Sequence, residues 1–158
     1  MKDELKIVLS SLKKTKLIAN IFSKYSKKGL FISLYGALGT GKTTFADFLI
    51  NSISKKKINV TSPTFSLVNI YQIEELRIWH YDLYRLDNKL EIFSLDFEEA
   101  LDDMIIMEWP EIATEYLPND RIEIKFEEDY RSKLNMKIYF QGNITFKNSI
   151  YERIKRIN

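Results

Sequence analysis

The chain has 158 residues, 45% of them hydrophobic and 13% aromatic, with no cysteine and a formal net charge of +2. One domain is expected at that length, large enough to bury about 68–70% of its unfolded surface around a real core. The lack of cysteine excludes a disulfide framework and a Cys-bound zinc site, and the near-balanced charge argues neither for nor against nucleic acid.

No apolar run approaches a membrane span, and the opening MKDELKIVLSS lacks the apolar stretch of a signal peptide. A cytoplasmic protein without membrane contact is therefore expected. Leu5 to Leu9 predicts a short strand. From Ser10 the pattern turns helical, with Leu12, Leu17, Ile18, Ile21 and Phe22 as one apolar face and Ser11 as N-cap. Lys27, Lys28 and Gly29 close that segment, and Phe31 to Tyr35 reads as a buried strand interrupted only by Ser33.

Gly36 to Thr44, GALGTGKTT, then fits the Walker A pattern G-x-x-x-x-G-K-[ST], with Gly36, Gly41, Lys42 and Thr43 at its fixed positions. Thr43 to Ile50 contains no breaker and predicts a helix, so the motif has the strand–turn–helix context it requires. Glycine lets the backbone approach phosphate oxygens. The loop N–H groups and the positive end of the helix then surround the anion. Lys42 is placed to reach the β- and γ-phosphates of a nucleotide such as ATP, and the Thr43 hydroxyl to ligate Mg²⁺. The lysines at 13–14, 27–28 and 55–57 read as a solvated face, because Lys, Ile and Asn recur throughout the chain.

Ile58 to Val60 predicts a short extended piece ending at Thr61-Ser62-Pro63-Thr64-Phe65. Pro63 restrains its own φ and the backbone of Ser62. A rigid hydroxyl-bearing turn suits a switch segment facing the γ-phosphate, and equally an ordinary Ser/Thr turn. Ser66 to Tyr71 and Leu76 to Arg85 predict an antiparallel strand pair turning at Glu74-Glu75. Asp82, near the end of the second, is an acid among aromatics that needs a partner, either a cation or Arg85. His80, the only histidine, reads as structural.

Asp87 to Asp103 predicts one or two helices, and Met104 to Met107 an apolar strand ending in Glu108-Trp109-Pro110. That is a Walker B-like strand whose terminal acid holds Mg²⁺ through water. Pro110 to Leu117 predicts a short helix with proline at its start. Arg121 to Phe126 and Leu134 to Phe140 predict a hairpin, and Ser149 to Asn158 an amphipathic helix. The whole is expected to be one α/β domain over residues 1–158. Its predicted form is a three-layer P-loop NTPase with a mainly parallel central sheet and an antiparallel extension from 66–85 and 121–140.

The motifs GALGTGKTTF at 36–45, SPTF at 62–65, HYDLYRL at 80–86 and EWPE at 108–111 together resemble the TsaE (YjeE) family. The likeness runs from about Thr15 to Asp129. Ala37 and Asp96 depart from it, standing where an acidic residue and a glycine are common. The resemblance implies a small bacterial ATPase needed to make threonylcarbamoyladenosine in tRNA. It implies that Gly39, Thr40, Gly41, Lys42, Thr43 and Thr44 bind the nucleotide and that Thr43 and Glu108 hold Mg²⁺. By the same likeness Asp82 takes part in hydrolysis beside Lys42 and Glu108, Trp109 lines the site, and a residue near Thr15 contacts adenine. The implied partner is the TsaD–TsaB complex, with tRNA reached indirectly through it. A small-molecule kinase would need an arginine-rich lid that the sequence does not cluster, and a nucleotide-sensing module without turnover is the other alternative. The guanine-reading N-K-x-D motif has no counterpart after a strand, since Asn88-Lys89-Leu90-Glu91 opens a helix.

Overall fold

Strand β1 (Glu4–Val8) leads to helix α1 (Leu12–Ser23), strand β2 (Phe31–Tyr35) and helix α2 (Lys42–Ile53). A hairpin of β3 (Val68–Ile73) and β4 (Leu76–Asp82) follows, then a 3-10 segment at Lys89–Leu95, the one-turn helix α3 (Phe97–Ala100) and strand β5 (Met104–Glu108). A second 3-10 segment at Pro110–Tyr116, strands β6 (Arg121–Glu128) and β7 (Leu134–Gln141), and helix α4 (Lys147–Lys155) complete the chain. The structure is a computed structural model that describes residues 4–157; the outermost ends of the expected domain and tail, Met1 to Asp3 and Asn158, lie outside the described residues.

All seven strands join one sheet in the order β1-β7-β6-β2-β5-β4-β3. Strands β6, β2, β5 and β4 run parallel. Strand β3 is antiparallel to β4, and β7 to both β6 and β1. This is the expected P-loop NTPase architecture, with one refinement. The second strand of the first predicted hairpin and the first strand of the other belong to the parallel core, so the antiparallel part is confined to the edges.

Parallel strands must be covered on both faces, and the side-chain alternation of β2 and β5 supplies both. Ile32, Leu34, Met104 and Ile106 pack with Ile18, Phe22, Phe45, Leu49, Ile150 and Ile154 of the helices on one side. Phe31, Ile105 and Met107 pack with Trp79, Tyr81, Ile92, Phe97 and Ala113 on the other. Three layers result.

Ser11 caps α1 as expected, its extended backbone at φ −162° and its Oγ accepting from the Lys14 N–H at 3.2 Å. The buried face of that helix differs from the expectation. Leu12 and Leu17 are 67% and 46% exposed, while Thr15, Ile18, Ala19, Ile21 and Phe22 are buried. The buried stripe thus includes the small residues 15 and 19 along with the large apolar ones. Of the one or two helices expected over 87–103, the structure forms two short ones, the first a 3-10 segment. Asn88 and Glu91 make a reciprocal capping box, and Asp96 then takes φ +55° between the 3-10 segment and α3. Glycine occupies that left-handed region at least cost, which gives the physical reason for a glycine at this position. Ile58 to Val60 has no regular secondary structure and does not join the sheet; the Asn51 amide accepts from Ile58 N at 2.7 Å and donates to Ile58 O at 3.1 Å.

Phe45 ties α2 to its surroundings. It is fully buried, with edge-on contacts to Phe22 at 5.9 Å and Phe126 at 6.0 Å between ring centroids. Phe45→Ala is expected to destabilise the fold by about 3–5 kcal/mol in urea denaturation, and a loss below about 1 kcal/mol would show that α2 is not held by this cluster.

Candidate active site

At the end of β2 the chain enters a loop that only glycine can begin. Gly36 has φ +148°, and a Cβ there would lie 2.6 Å from Thr40 Oγ1 and 2.7 Å from Phe126 O. Gly39 and Gly41 stand in open space, but their φ values of +75° and +100° are left-handed, so conformation rather than room demands glycine. Gly41 is the N-cap of α2 and offers it no side chain. The first-turn N–H groups are thereby left for an anion. Thr40 Oγ1 donates to Ala37 O at 2.8 Å and braces the loop.

Lys42 bridges the loop from the first turn of α2. Its Nζ donates to Gly36 O at 2.6 Å and Ala37 O at 2.9 Å and lies 4.2 Å from the centroid of the Trp109 ring. Burial pushes the ammonium below the usual lysine range, while the negative fields of Glu108, Asp82 and Glu111 oppose that shift. Trp109 holds its ring there from a left-handed backbone at φ +54°, a costly conformation for a bulky side chain. Tyr84 packs against the ring at 4.7 Å.

Strand register delivers the acids. Leu34 pairs with Glu108 and Glu108 with Asp82, so both carboxylates emerge where the parallel strands end. They are 2% and 3% exposed, and a buried carboxylate needs donors. Glu108 Oε2 accepts from Thr43 Oγ1 at 3.0 Å, and His80 Nε2 lies 2.8 Å from Glu108 Oε1. Asp82 Oδ2 accepts from Thr64 Oγ1 at 2.9 Å and Oδ1 from the Tyr84 N–H at 3.0 Å. Ser62 Oγ lies 2.7 Å from Thr64 Oγ1. The partner of Asp82 is thus a hydroxyl and a backbone amide. Arg85, one of the two partners weighed from the sequence, instead places its guanidinium 4.9 Å from the Phe65 ring centroid.

These groups line one cleft of about 230 Å³. Of the residues expected from the sequence it brings together Gly39, Gly41, Lys42, Thr43, Thr44, Asp82, Glu108 and Trp109, with Ser62 and Thr64 of the hydroxyl-bearing turn, and adds Leu38. Thr40 turns instead toward a cavity beside Phe126, and Thr15 is buried on α1 away from the cleft lining. The volume falls below the roughly 300–1,000 Å³ of pockets that enclose a drug-sized ligand, so the cleft suits the phosphate end of a nucleotide. His80 escaped the sequence reading as a site residue. Its signal was the H-x-D spacing, since residues two apart on a strand face the same side.

The Thr43 hydroxyl and Glu108 carboxylate form a hard-oxygen pair that fits Mg²⁺. Among the described residues no group of three or more His, Cys, Asp or Glu side chains could hold a metal. Mg²⁺ commonly keeps several waters and takes only one or two protein ligands, so two oxygens suffice.

The family model described as threonylcarbamoyl adenosine biosynthesis protein TsaE matches residues 9–136. The chain is similar to the tRNA threonylcarbamoyladenosine biosynthesis protein TsaE of Rickettsia prowazekii, 40% identical over 120 residues, covering 75% of this chain and 83% of the relative. The protein of the same description from Bacillus subtilis is 34% identical over 110 residues, covering 70% and 69% respectively. The crystal structure of Bacillus subtilis YdiB superposes with a TM-score of 0.75 at 25% identity, over 99% of this chain and 97% of that one.

Thr64→Val keeps the shape of the side chain and removes its bond to Asp82. Loss of a hydrogen bond to a charged group is expected to cost about 1.5–3 kcal/mol in chemical denaturation, with faster proteolysis within 61–66. Unchanged stability and unchanged cleavage would show that this bond does not hold the segment.

Proposed function

The chain belongs to the TsaE family of tRNA threonylcarbamoyladenosine biosynthesis, and from that membership we propose that it is the Mg²⁺-dependent ATPase of the modification, acting as an ATP-driven switch on the TsaD–TsaB complex. The observation that carries this reading is the 3.0 Å bond joining Thr43 of the phosphate loop to Glu108 at the end of the neighbouring parallel strand. It sets a metal-competent pair of oxygens beside Lys42, with a second buried acid, Asp82, in the same cleft.

Each residue has a role in the proposal. The loop from Gly39 to Thr44 wraps the phosphates with backbone N–H groups. Lys42 exchanges its two loop carbonyls for β- and γ-phosphate oxygens. Thr43 and Glu108 would hold Mg²⁺, which supplies neutralisation of the charge developing between the β- and γ-phosphates. Asp82 orients the attacking water, and Trp109 shields Lys42 from solvent. The adenine contact is assigned to a residue near Thr15 in this reading, because the Thr15 side chain itself is buried on α1. Thr64 and Ser62, bonded in series to Asp82, connect the state of the γ-phosphate to the 61–65 segment, which carries the signal outward.

The carbamoyl transfer itself belongs to the partner complex in this reading, and tRNA is reached through it. Among the described residues no helix is long and apolar enough to cross a membrane; the tRNA substrate supports a cytoplasmic location. No arginine lid supports a small-molecule kinase. Arg77 is bonded to Asp103 and Glu99, and Arg121 to Glu123.

Lys42→Ala is expected to weaken ATP binding by about 1.5–3 kcal/mol in calorimetric titration, and the parent protein to prefer ATP over GTP. Equal affinities for the two nucleotides, or no loss in the variant, would refute the nucleotide assignment. In a strain depleted of this protein, threonylcarbamoyladenosine in tRNA should fall and Glu108→Ala should fail to restore it. Mass analysis of tRNA nucleosides decides this: full restoration by Glu108→Ala would exclude the ATPase role.

A further inference from the structure

His80 lies in the middle of β4, paired with Ile106 of β5, and is fully buried. Packing alone gives no reason for an imidazole there. An apolar side chain would fill the space without the cost of burying polar nitrogens, and one of those nitrogens, Nδ1, has no hydrogen-bond partner among the described residues. The other makes the 2.8 Å contact to Glu108 Oε1.

We propose that His80 is a positioning residue that fixes the rotamer of Glu108 and so sets the affinity of the Thr43–Glu108 oxygen pair for its metal. This inference rests on the metal role given to that pair above. An ionised carboxylate only accepts hydrogen bonds, so Nε2 carries the hydrogen it shares with Oε1. The second carboxylate oxygen, Oε2, is held by Thr43 at 3.0 Å. Glu108 is thereby gripped at both oxygens, one from β4 and one from α2. Without the imidazole, the carboxylate would keep only the hydroxyl contact, and its remaining torsions would be free to turn Oε2 away from the cleft. His80 itself does not line the cleft, so it acts through Glu108. The chemistry is that of an outer partner that orients a metal-ligating group, whose removal typically costs roughly ten- to hundredfold in metal affinity.

The test uses Mn²⁺ as probe, titrated into the full chain with ADP while electron paramagnetic resonance reads the free metal. His80→Leu should weaken Mn²⁺ binding roughly ten- to hundredfold. His80→Gln can bring an amide N–H to the place of Nε2 and should restore near-parental affinity. His80→Asn, one bond shorter, should behave as the leucine variant does. Metal-free ADP binding, governed by the loop, should not change in any of them. Unchanged Mn²⁺ affinity in His80→Leu, or His80→Gln no better than His80→Asn, would overturn the proposal. The Gln–Asn comparison decides alone if the leucine variant does not fold. Parental protein that adds no Mn²⁺ binding to that of ADP would overturn the metal site and this inference with it. Parental binding that is insensitive to residue 80 overturns this inference only.

Discussion

The register of three parallel strands is the constraint on which the cleft depends. Leu34, Glu108 and Asp82 lie in one row, and the ladder continues just beyond it, with Trp109 N donating to Leu34 O and Leu83 N to Glu108 O. A slip of one residue would turn each side chain to the opposite face, sending Glu108 away from Thr43 and Asp82 away from Thr64. The hydrophobic alternation that fills the two cores is what forbids the slip. Core packing and chemistry are therefore fixed by the same pairing.

That register brings two buried acids onto adjacent strands. Like charges buried on neighbouring strands repel one another, and a buried carboxylate costs stability unless donors meet it. The compensation is local and specific. Thr43 and His80 take the oxygens of Glu108, Thr64 and the Tyr84 N–H take those of Asp82, and the Lys42 ammonium lies in the field of both. Burial pulls the lysine toward neutrality while the acids hold its charge, so the cation and the acids depend on one another.

Much of this was legible in the sequence, because the informative patterns are short-range. The loop of Gly36 to Thr44, the apolar runs of β2 and β5, and the terminal acid Glu108 need only spacing and alternation to be seen. The rest depends on partners distant in the chain. Leu12 and Leu17 look like core residues by hydropathy, yet the helix leaves them exposed and buries Thr15 and Ala19. The 87–103 stretch carries a helical pattern, but the turn at Asp96 divides it. His80 reads as an ordinary core residue until the strand 28 positions later places Glu108 beside it. Thr40 sits inside the phosphate motif, but its side chain serves the loop rather than the cleft.

The segment between α2 and β3 shows how the cleft can communicate with the surface. It contributes no strand, and its ends are secured by amide side chains: Asn51 grips Ile58, and Asn69 Nδ2 donates to Thr61 O at 3.2 Å. Past its middle the chain is pinned again, with Leu67 N donating to Pro63 O and Asp82 N to Leu67 O. Between these anchors, the tie to the cleft is the Thr64 hydroxyl on Asp82, while Phe65 is 85% exposed and adds little packing. Pro63 is buried, Ser66 Oγ donates to Asn69 Oδ1 at 2.9 Å and the Arg85 guanidinium lies over Phe65, so the Thr64–Asp82 bond is one of several restraints on the segment. A group that draws Asp82 Oδ2 away from Thr64 would remove that tie, while both flanks keep their bonds to α2 and the β3–β4 hairpin. Phe65, exposed one residue beyond Thr64, is where that tie from the buried carboxylate reaches the outer surface.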